Sequence, residues 1–559
     1  MPNEGKKRGY AASAVRAFAF AAIAALATAA RAVAAEVAVL AHDPGYYTSL
    51  AKHVQRWLAQ HDIASELAAP SGMSAALSDA KVAFLVGFDA PTDAEMKVIE
   101  GYRARGGRLV VFYSSSPRLA ALMGVKVLGF AKAAYPGQWS RMDFSVNFPE
   151  GLPRRVLQTS TVLQKAEPLP GKGRVMATWS DRSGRPTGDA AWISTSSGYW
   201  MTHVLLADGD EALKAQTLAA MTGCLAPGLW NWEKFKVREA EERRALAEFA
   251  AAQVPQKGEI HAVWDHSGCG LYPGDWPRTI RLLKTSGVTD LFVNVAGAGF
   301  AHYPSKVLPR SRTYEQEGDQ LKACLAAAAG SGIRVHAWVL CFTATRSTPE
   351  RMEKFKADGW RLKDRNGRLT EYLDPSKPAV RKRILEAIDE LQAKYAIDGI
   401  HIDFVRWYER AEKPKDAADI ISKFVAEVRK HVKRPRLLTA AVLGKYPACV
   451  ASVGQDWNGW LDTGSVDYVV PMDYTEDPVK FASFLAQHAL KKSHARKTIV
   501  GIGVTANESR LGAREVIGQL KMARACGFPG AALFDLDTTL EKQILPYLRQ
   551  GMWRADSAR

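Results

Sequence analysis

The chain has 559 residues, too many for one ordinary domain, so two or three are expected. Apolar residues make up 47% and charged residues 24%, a globular composition rather than a disordered or fibrous one. The formal charge of +17 favours anionic surroundings such as envelope polymers. The basic residues are spread along the chain without a recognised nucleic-acid motif, so no nucleic-acid partner is expected.

Residues 1–35 read as a bacterial export signal. Lys6, Lys7, Arg8 and Arg16 precede or enter an Ala-rich run over 17–30, and Ala32-Val-Ala34 offers a small-residue cleavage site. The apolar run is shorter than the ~20 residues a spanning helix needs. The expectation is a periplasmic or secreted protein with no membrane span after cleavage. Residues 1–35 hold five basic residues and one acidic one, which leaves about +13 on the mature chain.

Residues 36–228 alternate strand-like and helix-like pieces, the rhythm of a doubly wound α/β domain. Expected strands are 37–41, 82–87, 108–113 and 191–194, with helical patterns over 48–60 and 92–105. Gly107-Arg-Leu-Val-Val-Phe-Tyr113, then Ser114-Ser-Ser-Pro117 and a helix, resembles a class I glutamine-amidotransferase-like domain. Catalytic members of that superfamily carry a Cys nucleophile at this turn. Here the turn holds serines, no Cys precedes Cys224, and no G-x-S-x-G elbow surrounds Ser114–Ser116. The resemblance therefore implies a non-catalytic domain. Residues 229–256 read as an exposed linker helix, dense in alternating charge and ended by Pro255 and Gly258.

Over 257–549 the pattern becomes regular, and 550–559 form a tail. Eight apolar strands are expected at 260–264, 291–295, 335–341, 399–403, 437–442, 468–472, 498–504 and 531–534, with helices between. Eight β/α units over ~290 residues is the size of a (β/α)8 TIM barrel. The six cysteines have no metal-type spacing and read in part as buried thiols; the sequence does not pair them.

Chemistry is expected where strands end in carboxylates at the barrel mouth. Side chains alternate along a strand, so if His401 faces inward, Asp403 does too, while Ile400 and Ile402 face the helices. Asp265 after Trp264, Asp473 before Tyr474, and Asp535 with Asp537 close strands one, six and eight. His261, His336 and His401 sit mid-strand in the packed layers, so no metal is expected, and no cofactor either.

Three spaced segments carry a second resemblance. They are Leu373-Asp-Pro-Ser-Lys-Pro-Ala-Val-Arg381, Asp398-Gly-Ile-His-Ile-Asp403, and Trp457–Trp460 leading to Val466-Asp-Tyr-Val-Val-Pro-Met-Asp-Tyr474. Their order resembles the glycoside-hydrolase-like 10 family of bacterial envelope barrels. One departure is that Phe404 follows Asp403, where members often carry a second acid. The resemblance implies a glycosidase acting on an envelope or extracellular polysaccharide, with a peptidoglycan-type amino sugar polymer first. The alternative is a non-catalytic carbohydrate-binding barrel.

Glycosidic cleavage needs one carboxylic acid to protonate the leaving oxygen and one carboxylate to attack or activate water. Asp403 is expected as nucleophile or base and Asp473 as its acid/base partner. Asp265, Glu371 and Glu476 are reserves for the acid, and Asp535 is expected to orient substrate hydroxyls. Trp264, His401, Arg406, Trp407 and Tyr474 complete the expected binding set. The long segment 296–314 after strand two, with Arg310 and Arg312, has a length typical of functional loops.

Overall fold

The computed structural model describes residues 35–43, 45–145, 149–208 and 210–554. The expected export segment lies outside them, apart from Ala35. The chain divides into two compact units at the Glu241–Glu242 junction.

The first unit is built on a nine-stranded sheet. Five strands run parallel in the spatial order Glu66–Ala68, Val37–Ala41, Val82–Val86, Arg108–Phe112, Gly198–Met201. This is the 2-1-3-4-5 order of a doubly wound sheet. Both faces are covered: Val37 and Val39 join the core of helix Tyr46–Ala59, while Ala38 and Leu40 join that of helix Asp93–Ala104. That explains why these strands read as continuous apolar runs. The sheet then continues antiparallel through Pro186–Thr195, Gly173–Ser180, Trp139–Phe144 and Arg155–Ser160. Of this half the sequence reading holds only the strand at 191–194, which falls within Pro186–Thr195.

The serines after Arg108–Phe112 are tied into the fold. Ser114 Oγ donates to the Phe88 carbonyl, Ser115 N–H donates to Asp89, and Ser116 caps helix Pro117–Leu122.

In the second unit eight parallel strands close into a barrel. In chain order they are Ile260–Asp265, Asp290–Gly297, Arg334–Leu340, Gly399–Asp403, Leu437–Leu443, Tyr468–Met472, Val500–Gly503 and Gly530–Phe534. The first pairs with both the second and the eighth, which closes the ring. Helices between them bury one apolar stripe each; Ile421, Phe424, Val425 and Val428 of Ala417–His431 follow the 3.6-residue period. Helix Trp232–Ala251 ends in the second unit, where Leu246, Phe249 and Ala250 pack on the barrel's core. That end is docked, where the sequence suggested an exposed linker.

The interior is filled. Ala262, Trp264, Phe292, Trp338, Val470, Ile499 and Ala532 form one cluster, and the His401 ring stacks on Phe292 at 4.1 Å. Strand seven makes room with glycine. A Cβ on Gly501 would sit 3.1 Å from the Trp264 indole, and one on Gly503 would sit 2.7 Å from the Tyr474 ring. Cys324, Cys341 and Cys449 are buried thiols, and none of the six cysteines is paired.

Candidate active site

Asp403 ends strand four with its side chain on the inward parity shared by His401. It is 4% exposed. Burial is the largest influence on its carboxyl and pushes the pKa up. The Arg406 charge, the Phe404 N–H and the Trp338 indole N–H act the other way. Phe404, standing where a second acid was expected, has φ 49°, in the left-handed region that costs a residue with a Cβ about 1–2 kcal/mol. This turn lets its own N–H donate to Asp403. Its ring meets Tyr372 at 6.1 Å and the Arg406 guanidinium at 4.5 Å. Among the described residues Arg406 Nη1 is buried without a protein partner. A donor left in that position is suited to a substrate oxygen.

Asp535 follows strand eight after a cis peptide bond. Burial, then the charges of Asp537 and Asp265, push its pKa up to about 6; the Thr505 hydroxyl, donating at 3.0 Å, opposes the rise. Tyr474, from the end of strand six, stacks on Phe534 at 5.5 Å. Its phenol is raised well above the usual range by burial, then by the charges of Asp403, Glu508, Asp535 and Asp473. Tyr474 thus stays a neutral donor within electrostatic reach of both Asp403 and Asp535.

Asp473 does not join this group. On strand six Val470 points into the barrel and Val469 into the helical layer, so Asp473 shares the outward parity. Its carboxylate is fully buried against His488 of helix Pro478–His488, at 3.0 Å. It cannot act as the acid/base partner of Asp403 from there. Asp265 is likewise turned from the mouth. It is fully buried and accepts from Ser267 Oγ at 2.6 Å, Gly268 N at 3.2 Å and Gly270 N at 2.9 Å, which makes it the organiser of its own turn.

A family model described as "Glycosyl hydrolase-like 10" matches residues 274–419, which include strands two, three and four. No curated protein matches the chain. Among solved structures, catalytic domain 2 of the group II chitinase of Ostrinia furnacalis aligns at 11% identity with a TM-score of 0.37, covering 53% of this chain and 95% of that one. The α-L-fucosidase isoenzyme 2 of Paenibacillus thiaminolyticus aligns at 12% identity and TM-score 0.36, covering 53% of this chain. That match spans 48% of the fucosidase, about half its length. A putative ThuA-like protein from Bacteroides uniformis aligns at 15% identity and TM-score 0.28, covering 36% of this chain and 95% of that one.

The remaining expected residues divide between floor, helical layer and solvent. Trp264 is 1% exposed, and its indole N–H donates to His401 Nε2 at 2.9 Å. His401 Nδ1 meets Thr439 Oγ at 2.8 Å, and burial pushes its pKa far down. This neutral, fully partnered pair is the floor beneath the site and offers no group to a sugar, contrary to the expected substrate contacts. Trp407 is buried in the helical layer, with its N–H on the Ala417 carbonyl, so it is no sugar platform either. Glu371 is exposed. Glu476 is exposed and accepts from the Arg510 N–H, bracing the turn after strand seven.

The three strand histidines do not meet. His261 is held by Glu259 and His336 by Asp290. Among the described residues no group of three or more His, Cys, Asp or Glu is arranged to hold a metal. No described helix is long and apolar enough to cross a membrane.

Several mouth residues were not foreseen. Glu508, on the turn after strand seven, acts on Tyr474. Tyr372 stacks on Tyr408 at 4.3 Å beside Phe404. His266 faces Trp338 and Phe534, each at 5.8 Å, and receives Arg346 Nη2 at 3.1 Å. Glu508 and His266 come from turns, where no periodicity reports orientation, and Tyr372 from the short strand Leu369–Leu373 outside the barrel.

Proposed function

We propose that the barrel is a glycosidase in which Asp403 is the nucleophile or water-activating base and Asp535 the acid. The observation that carries this is the placement of two carboxyls at barrel strand ends: Asp403 closes strand four, Asp535 directly follows strand eight, and Tyr474 stacks at 5.5 Å on the neighbouring Phe534. Asp535, with a pKa of about 6, keeps a proton available near neutrality. Burial raises the Asp403 carboxyl, and the Arg406 charge with the N–H groups of Phe404 and Trp338 opposes that rise and supports the carboxylate form the role requires. Tyr474, kept neutral by burial, offers the sugar a hydrogen-bond donor. The match of residues 274–419 to a glycosyl-hydrolase-like model supports the same class.

The substrate in this reading is an envelope or extracellular polysaccharide, a peptidoglycan-type amino sugar polymer first, reached by export through residues 1–35. The first unit is an accessory amidotransferase-like module without that chemistry. The positive charge of the chain suits anionic envelope polymers.

The test incubates purified protein and its Asp403→Asn form with peptidoglycan, exopolysaccharides and chitin-like oligomers and measures new reducing ends. Release by the wild type and its loss in Asp403→Asn is the expected result. Binding without release would make the barrel a carbohydrate-binding scaffold.

A further inference from the structure

We propose that a cleft beside the barrel mouth, walled by Arg310, Arg312, Arg346 and Arg351 with His302, is a subsite for an oxyanion on the glycan: a carboxylate, phosphate or sulfate substituent. The proposal rests on the glycosidase reading and narrows its substrate to an acidic polymer.

The cleft holds about 470 Å³. Every charged side chain lining it is cationic; the other polar lining groups are the hydroxyls of Ser267, Ser311, Thr313 and Thr348. A site for a neutral sugar presents acceptors as well as donors, and this one has no carboxylate or amide side chain. Among the described residues none of the four arginines has a carboxylate at ion-pair distance, whereas Arg334, Arg429 and Arg524 are each paired. Four guanidinium groups brought together without counter-charge repel one another, and an anion relieves that repulsion. The largest influence of opposite sign on Arg346 is Asp265, whose oxygens are already taken by its own turn.

A second observation is independent of the arginines. His302 is 4% exposed and lines the cleft. Its Nδ1 meets Ser311 Oγ at 2.6 Å, and Ser311 also caps the next helix by accepting from the Tyr314 N–H. The Ser311 hydroxyl keeps its proton to donate to Nδ1, and in that tautomer Nε2 is an N–H donor. That Nε2 is buried with no partner. A buried donor without an acceptor is costly unless a ligand supplies one.

The cleft connects with the mouth. Arg346 donates to both the ring and the carbonyl of His266, and the His266 ring faces Trp338 and Phe534. An anionic sugar seated on the arginines would thus be a near neighbour of the residue between Asp403 and Asp535. Planar guanidinium forks match carboxylate, phosphate and sulfate geometry.

The experiment measures calorimetric binding to the Asp403→Asn protein, whose turnover is expected to be about 100- to 10,000-fold slower. The probes are a uronate oligosaccharide, its carboxyl-reduced neutral counterpart, a phosphate-substituted oligosaccharide and a sulfate-substituted one. At least one anionic probe is expected to bind about tenfold or more tightly than the neutral one, and the best of the three names the anion. Adding Arg312→Gln with Arg351→Gln is expected to remove that advantage while the melting temperature stays the same. The proposal is overturned if no anionic probe binds, if the neutral probe binds equally well, or if the double variant keeps the preference. Selective binding without release of reducing ends by the wild type would instead overturn the glycosidase reading and leave the anion subsite standing.

Discussion

His488 Nε2 lies 3.0 Å from Asp473 Oδ1, and both side chains are completely buried between strand six and the helical layer. The pair ties helix Pro478–His488 to the end of strand Tyr468–Met472, next to Tyr474. Close packing leaves no slack: a Cβ on Gly444 would fall 2.0 Å from Asp473 Oδ1. Asp473 is therefore a positioning residue for Tyr474.

Removing one partner strands a buried polar group, at about 1–3 kcal/mol. Asp473→Ala is expected to lose about that much in chemical denaturation. Its folded fraction should retain turnover within roughly tenfold of wild type, well short of the loss expected for a general acid. A loss of 1,000-fold with unchanged stability would restore Asp473 to the chemistry.

The barrel was legible because its strands are buried on both faces and read as apolar runs of the right length, as in Gly399–Asp403. Parity then placed His401 and Asp403 correctly inside. The same parity, counted from Val470, points Asp473 outward; a strand-end Asp looked catalytic because the count was not carried to it. Tyr474, one residue on, is the group that reaches the mouth. Glu508, Arg346 and His266 lie on turns, where side-chain direction follows long-range packing that the sequence does not display. In the first unit the antiparallel half is legible only at 191–194, although Arg155–Ser160 alternates strictly between exposed and buried. Its period-2 pattern is built from Gln, Thr and Ser as well as Val, so the apolar signal is weak.

Asp403→Asn separates chemistry from stability. Burial raises the pKa of this carboxyl, so the folded state pays to ionise it at neutral pH. The neutral amide should therefore leave the melting temperature equal or higher, while turnover falls about 100- to 10,000-fold. A marked loss of stability would identify Asp403 as a structural anion.

Gly503→Ala tests the floor of the site. The added Cβ would meet the Tyr474 ring at 2.7 Å and Ser509 Oγ at 2.6 Å. Overpacking of this kind costs about 1–3 kcal/mol. Displacement of Tyr474 from its stack on Phe534 should lower kcat by more than that loss of stability explains, as read from kinetics at a temperature where the variant is fully folded. Equal activity would show that Tyr474 is not needed in its observed place.

Asp535 sets the pH dependence. Its folded pKa, about 6, exceeds the ordinary carboxylate value, so the folded state holds this proton more tightly than the unfolded chain. Its contribution to stability is therefore full at low pH and is lost as pH rises from about 4 through about 6. As the acid it must be protonated, so activity should fall on the alkaline side with an apparent pKa near 6. The Thr505 hydroxyl donates to Asp535 Oδ1 and favours its ionised form. Thr505→Val removes that donor, and the alkaline limb should move to higher pH; Asp535→Asn should abolish the limb along with most of the activity. A limb that stays fixed in Thr505→Val would assign the titration to another group and leave Asp535 to orient hydroxyls.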